Sequence, residues 1–309
     1  MANPIITVVG SSNTDLVVRV PHIPMPGETL LGGDVQRIAG GKGANQAVAA
    51  RQIGAEVHFI GCLGDDDFGD AAAAHLARAG LQLEHLVRVA GVPSGVALIA
   101  VAANGENSIV VAPGANAHLT PADVASAAPA IQASQMVIAQ LETPILTIQH
   151  AFTLARQAGV RTLLNPAPAQ SLPRDLLALV DVLVCNQTEA EALTGVAITD
   201  RASATRAARI LQADGPALVI VTLGKDGCLV ASGNAITHVP AFTVQVVDTT
   251  AAGDAFIGAL ACRLALDDAP DIAARYAAAA AALSVGVVGA QPSLPTGAQV
   301  AAFLLQLEG

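Results

Sequence analysis

Residues 248–256 read Asp-Thr-Thr-Ala-Ala-Gly-Asp-Ala-Phe, a run whose chemistry follows from its small residues and its second aspartate. Small residues opening a helix leave several backbone N–H groups free to face one anion, and the helix dipole adds to the attraction. Asp254 falls in that first turn. A carboxylate there can stay ionised and accept a hydroxyl proton while the N–H groups hold a transferring phosphoryl group. A plainer reading also stands: Asp254 complements the dipole, and Asp248 is an N-cap.

Three further segments carry comparable options. Gly40-Gly41-Lys42-Gly43-Ala44-Asn45 lets a backbone approach a ligand closely and places Lys42 and Asn45 at a helix start, or is a tight turn with a solvated lysine. Asn186-Gln187-Thr188-Glu189 follows an apolar strand, where parallel sheets bind ligands. Asn186 and Glu189 there could orient water on Mg²⁺, or simply cap the helix. Thr222-Leu223-Gly224-Lys225-Asp226-Gly227 is a strand-end loop suited to phosphate or adenine, or an ordinary turn. The glycine-rich segment has no Lys followed by Ser or Thr and no third glycine, so neither common nucleotide fingerprint is present.

Such segments need a scaffold, and the hydrophobic pattern supplies one. Ile5–Val9 reads as a buried strand ending at Gly10, although Met1–Gly10 has neither the basic start nor the long apolar run of a signal peptide. Leu16–Val20 and a segment near Thr29–Val35 predict two strands around a Pro-rich turn. Ala44–Gln52 and Phe68–Ala79 predict helices, with the strand Val57–Ile60 between them. Val96–Ala102 and Ser108–Val111 flank Asn104-Gly105, a strong hairpin signal. From a helix start at Thr120-Pro121 the pattern alternates. Strands fall at Met136–Gln140, Thr162–Asn165, Val182–Cys185 and Leu218–Thr222, and helices at Pro144–Gln157, Glu189–Leu193 and Ala202–Ala213. Gly227–Ala231 and Ile236–Pro240 predict an antiparallel pair, and helices Ala252–Leu266 and Ile272–Val285 follow. The fold class is α/β: a parallel sheet covered on both faces, with early strands forming a separate small sheet.

Composition narrows the function. The 309 residues carry a net charge of −10, no Trp and one Tyr, which disfavours a nucleic-acid surface needing cations and aromatic platforms. Cys62, Cys185, Cys228 and Cys262 lie singly in apolar stretches, and the seven histidines show no paired spacing, so zinc has no support. The longest apolar run, Ala277–Val288, is far short of the ~20 residues that span a bilayer. The expectation is a cytoplasmic protein.

Taken together and in order, these segments resemble the ribokinase-like (PfkB-type) family of carbohydrate kinases, over about Ile5–Pro295. Gly41–Ala50, Leu141–Pro144, Asn165–Pro168 and Gly289–Ser293 are similar to its ribose-phosphorylating branch in particular. The resemblance implies a three-layer sandwich in one domain over residues 1–309. Within it a discontinuous β lid spans about 12–40 and 91–115, and its strands would also pair two subunits into a homodimer. It implies an ATP-dependent kinase acting on O5 of D-ribose, with 2-deoxyribose, another sugar or a nucleoside as alternative acceptors. A sugar-binding regulator without catalysis is the rival from another class.

The site residues implied are carried over by position. Asn13, Asp15, Gly41, Lys42, Gly43, Asn45 and Glu142 would hold the sugar. Asp254 would be the base and the N–H groups of Ala251, Ala252, Gly253 and Asp254 the anion hole. Asn186, Thr222, Gly224, Lys225, Gly227 and Gly253 would meet the nucleotide, with Asn186 and Glu189 serving Mg²⁺ through water. K⁺ would be held by Asp248, Thr250, Ser284, Val287, Gly289 and Ser293, several through carbonyls.

Overall fold

The computed structural model describes residues 3–308, so Met1, Ala2 and Gly309 of the expected domain lie outside the described residues. Seven parallel strands form most of the main sheet. They are β1 (Ile5–Val9), β4 (Glu56–Gly64), β5 (Leu86–Val89), β8 (Met136–Gln140), β9 (Arg161–Asn165), β10 (Val182–Asn186) and β11 (Leu218–Thr222). Two more, β12 (Cys228–Ser232) and β13 (Ala235–Val239), extend it antiparallel, as the sequence predicts. The order is β13-β12-β11-β10-β9-β8-β1-β4-β5.

Alternation along the strands divides the core in two. Ile6, Val8, Phe59 and Ile138 point into one layer, while Val9, Ile60, Val137 and Ala139 point into the other. The first layer is closed by α1 (Lys42–Ile53), α2 (Asp67–Arg78), α9 (Ala252–Ala265), α10 (Pro270–Ser284) and α11 (Gly297–Glu308). The second is closed chiefly by α3 (Pro121–Ser126), α4 (Ala128–Ala133), α5 (Ile145–Gln157) and α8 (Arg201–Ala213), with Phe152 fully buried. The short helices α6 (Arg174–Leu177) and α7 (Gln187–Thr194) complete the chain. Alanine lets helices approach one another and the sheet closely: Ala44, Ala47, Ala259, Ala277 and Ala280 are all buried within this first layer.

A second sheet stands apart, in the order β3-β2-β6-β7, from β2 (Asn13–Val20), β3 (Gln36–Gly40), β6 (Gly95–Ala102) and β7 (Asn107–Ala112). The hairpin at Asn104-Gly105 forms as expected, and β2 lies parallel to β6 from Asn13↔Gly95 to Val20↔Ala102. The strand expected near Thr29–Val35 is a correction: that stretch has no regular structure, and the partner of β2 is Gln36–Gly40. Apolar Leu30, Leu31 and Val35 suggested a strand there. Yet Leu31 is 93% exposed, and pairing runs instead from Val17↔Gln36 to Asn13↔Gly40, which carries the chain into α1. Strand β5 and helix α11 were not anticipated, the first because it is only four residues long.

Candidate active site

The strand order reverses beside β1: the chain runs outward from β1 through β4 to β5 on one side, then returns to β8 on the other side and continues from there. In open α/β sheets the crevice at such a point, beyond the strands' C-terminal ends, is where ligands bind. The crevice here is polar. Ser11, just past β1, donates its hydroxyl to Glu142 Oε2 at 2.5 Å, just past β8. The backbone N–H of Lys42, first residue of α1, donates to the same oxygen at 3.1 Å.

Glycines bring these pieces together. Gly41 has φ +89°, and a Cβ there would lie 2.7 Å from the Asn13 nitrogen, so no side chain fits. At Gly40 a Cβ would run into the Asp15 carboxylate. Asn13 and Asp15 therefore enter the crevice from β2, immediately against the start of α1. Asn13 Oδ1 accepts from Asn116 Nδ2 at 2.7 Å, which fixes its amide.

Asp254 lies at the opposite wall in the first turn of α9, buried. Among the described residues it caps no backbone group. Its Oδ2 accepts from Asn45 Nδ2 and its Oδ1 from Gln46 Nε2, each at 2.9 Å. Gln46 is held in turn by Gln140 Nε2, donating to its Oε1 at 2.5 Å, and by Asn165 Oδ1, accepting at 3.2 Å. The carboxylate is thus aimed by side chains of α1 and not spent on its own helix. Ahead of it, Ala251 adopts φ +59° and begins the helix with no side-chain cap. Ala252 donates to Thr249 O at 3.3 Å, so one of the four expected anion-hole amides is engaged. The amides of Ala251, Gly253 and Asp254 have no acceptor among the described residues.

The charges are dense. Burial, with Glu142 and Asp254 nearby, pushes the Asp15 carboxyl up to about 7. Burial likewise raises Asp254, against the pull of Lys42 and the two amide donors. Burial alone would lower the Lys42 ammonium, but Asp254, Glu142 and Glu189 hold it above its ordinary value. One cation balances several carboxylates, and a polyanionic ligand arriving here meets Lys42 and free amides.

Asn186 and Glu189 form a complete capping box. Asn186 Oδ1 accepts from Glu189 N at 2.8 Å, Glu189 Oε2 accepts from Asn186 N at 2.9 Å, and Asn186 Nδ2 donates to Glu189 Oε1 at 2.9 Å. The cap left open by the sequence is therefore present, and Glu189 remains close enough to Lys42 and Asp254 to sense both. Among the described residues no three His, Cys, Asp or Glu side chains converge as a metal cage. That donor set suits Mg²⁺, which keeps several waters and is usually held by phosphates plus one or two carboxylates.

Of the expected nucleotide contacts, Gly224 (φ +58°) and Gly227 (φ +86°) shape the loop after β11, where Leu223 N donates to Gly227 O at 2.7 Å. Thr222 points its hydroxyl at Cys185 O, 3.4 Å away, and Lys225 is exposed on a cavity of about 430 Å³ that Gln187 also lines. Of the expected K⁺ ligands, Asp248 accepts from Thr250 N and Oγ1 at 2.9 and 2.6 Å and from Gly289 N at 2.8 Å. Burial works against the Asp248 charge, but these bonds hold its carboxyl below the usual range. Ser284 and Ser293 turn their hydroxyls back to Ala281 O and Ala290 O, and Val287 is half exposed. Asp248 thus ties the segment before α9 to the segment after α10, through the Gly289 amide.

Ser11, Gln46, Asn116, Gln140, Asn165 and Gln291 belong to this network without being singled out as site residues from the sequence. The available signal was a polar residue ending an apolar strand, as at Gln140 and Asn165.

A family model described as "pfkB family carbohydrate kinase" matches residues 4–297. The chain is 44% identical to a ribokinase of Haemophilus influenzae, over 97% of this chain and 98% of that one. It is 39% identical to a deoxyribokinase of Salmonella typhi, over 94% and 95%. Among solved structures, that of Arabidopsis thaliana ribokinase complexed with ribose and ATP superimposes with a TM-score of 0.90 at 32% identity, covering 98% of this chain and 99% of that one.

Proposed function

The chain belongs to the pfkB family of carbohydrate kinases, and from that premise we propose that it transfers the γ-phosphoryl group of ATP to O5 of D-ribose, giving ribose 5-phosphate and ADP. The observation that carries the chemistry is Asp254, buried, ionisable and aimed by Asn45 and Gln46, beside three amides without acceptors. The choice of ribose rests on its similarity to ribokinases, at 44% identity to that of Haemophilus influenzae and 32% to that of Arabidopsis thaliana.

In this reading Asn13, Asp15, Gly41, Lys42, Gly43, Asn45 and Glu142 line the sugar subsite. Asp15 and Asn45 take adjacent hydroxyls, and a sugar lacking one leaves a buried polar group unpaired. Asn45 spends its Oδ1 and one amide hydrogen within the protein, so one amide hydrogen remains for the sugar. Asp254 accepts the proton of the 5-hydroxyl as that oxygen attacks in line. The free amides at the start of α9, with the helix dipole, stabilise the negative oxygens of the transferring group. The loop Thr222–Gly227 receives the nucleotide, together with Asn186 and Gly253. Mg²⁺, carried by the phosphates and approached through water by Asn186 and Glu189, would neutralise charge on the triphosphate. K⁺ would sit with Asp248, Thr250, Ser284, Val287, Gly289 and Ser293, ordering the loop before α9.

The small sheet is read as a lid over the sugar and as the contact between two subunits. Its strands β6 and β7 expose Leu98 and Val110, cross-strand partners on one face, as an apolar pair that a second copy would cover. The four cysteines are free and buried, which suits a reducing cytoplasm where ATP is held. No described helix is long and apolar enough to cross a membrane.

The test is ADP release from ATP and Mg²⁺ with ribose, 2-deoxyribose, fructose or adenosine, each with and without K⁺. Turnover with ribose, stimulated by K⁺, is the expected result. Preference for 2-deoxyribose would overturn the sugar assignment and leave the kinase chemistry intact.

A further inference from the structure

One of the two donors to Asp254 begins a chain that leaves the pocket. Asn45 Nδ2 donates to Asp254 Oδ2 at 2.9 Å, Gln291 Nε2 donates to Asn45 Oδ1 at 3.1 Å, and Gln291 Oε1 lies 2.6 Å from His75 Nε2. Asn45 and Gln291 are buried, whereas His75 is half-buried on α2, where it lines a cavity of about 230 Å³. The chain crosses three elements and the loop before α11, and no sequence spacing connects its members.

Its polarity is forced. An ionised carboxylate only accepts, so Asn45 must turn its NH₂ to Asp254 and its oxygen to Gln291. Gln291 must then turn its NH₂ to Asn45 and its oxygen outward. The far end has to be an N–H, which a neutral imidazole supplies from Nε2 in one tautomer and withholds in the other. With the proton on Nδ1, the Nε2 lone pair would face Gln291 Oε1. The relief is for Gln291 to turn over, which sets oxygen against oxygen at Asn45. Reversal of Asn45 in turn would bring a carbonyl against Asp254.

We propose that His75 is a positioning residue for phosphoryl transfer: its Nε2–H fixes the direction of the Gln291–Asn45 amide chain and so holds Asp254 toward the reacting hydroxyl. The proposal rests on reading Asp254 as the base.

The test uses the full chain and two readouts. In the first, His75→Leu lowers kcat by about 10-fold, within the ~100-fold that misplacing a reacting group can cost, with KM for ATP unchanged. His75→Gln, whose amide nitrogen reaches the place of Nε2, recovers most of that loss. The second readout is the ¹⁵N spectrum of the imidazole in the unsubstituted protein at alkaline pH, which should show the proton on Nε2. Wild-type kcat in His75→Leu, a His75→Gln variant as slow as His75→Leu, or a proton on Nδ1 would each overturn the proposal. If His75→Leu does not fold, His75→Gln and the spectrum decide. The spectrum needs no substrate, and kcat is measured on whichever sugar is turned over, so an error in the sugar assignment leaves both readouts interpretable.

Discussion

At the scale of single residues, the site concentrates largely buried negative charge, and two carboxylates show the cost differently. Asp254 is offered two amide donors, so replacing it by Asn removes the proton acceptor and also turns an NH₂ toward Asn45 or Gln46. The Asp254→Asn variant should lose roughly 10²–10⁴ in kcat, the usual scale for a general base; steady-state ADP release measures it, and a near-normal kcat would sink the assignment. Asp15 makes a pH prediction. Its carboxyl is raised from 3.8 to about 7 in the folded chain, so between those values folding takes up a proton, and this contribution to stability is lost as pH rises toward 7. Without sugar, Asp15→Asn should melt above the unsubstituted protein at pH 8, with the gap closing as pH falls toward 4; parallel melting curves would contradict it. The chemistry-bearing segments were legible in the sequence because glycine-rich helix starts and a first-turn aspartate have local signatures. Asn45 was among them, but its bond to Asp254 and the amides Gln46, Gln140, Asn165 and Gln291 were not, because they meet only when separate parts of the chain converge.

At the scale of elements, everything depends on how closely α9 lies against α1. Gly258 is the contact point: a Cβ there would sit 2.7 Å from Ala50 N and 2.9 Å from Gln46 O, backbone atoms that cannot step aside. Gly258→Val should therefore destabilise the fold by about 1–3 kcal/mol, the range for overpacking a well-filled core. It should also depress kcat, because Asn45 and Gln46 ride on the displaced helix. Urea denaturation checks the first expectation and single-turnover kinetics the second; unchanged stability would mean the helices separate freely. Elements of this kind were readable wherever the hydrophobic period was clear, as for β1, β8, α5 and α8. The partner of β2 was misplaced by several residues because the apolar residues of the preceding loop imitate a strand. What decides the matter is the register with β2, which is a property of two segments and not of one.

At the scale of the whole molecule, the small sheet leaves the cross-strand pair Leu98 and Val110 uncovered on one face of one chain. If that face joins two subunits, Val110→Glu should shift sedimentation from dimer to monomer and raise KM for ribose, since the lid would lose its support. Monomers in the unsubstituted protein would remove the dimer reading and leave the catalytic one untouched. The central pair of this sheet has another consequence. Strands β2 and β6 are parallel neighbours, yet α1, β4, α2 and β5 all lie between them in the chain. Closing so long a loop is unfavourable until the intervening elements are in place, so the pair is a late event on the folding route. In pulse-labelling hydrogen exchange the amides of β1 and β4 should gain protection first and those of β2 and β6 last. In the native protein the same amides should exchange by local opening, well below the cost of unfolding the chain.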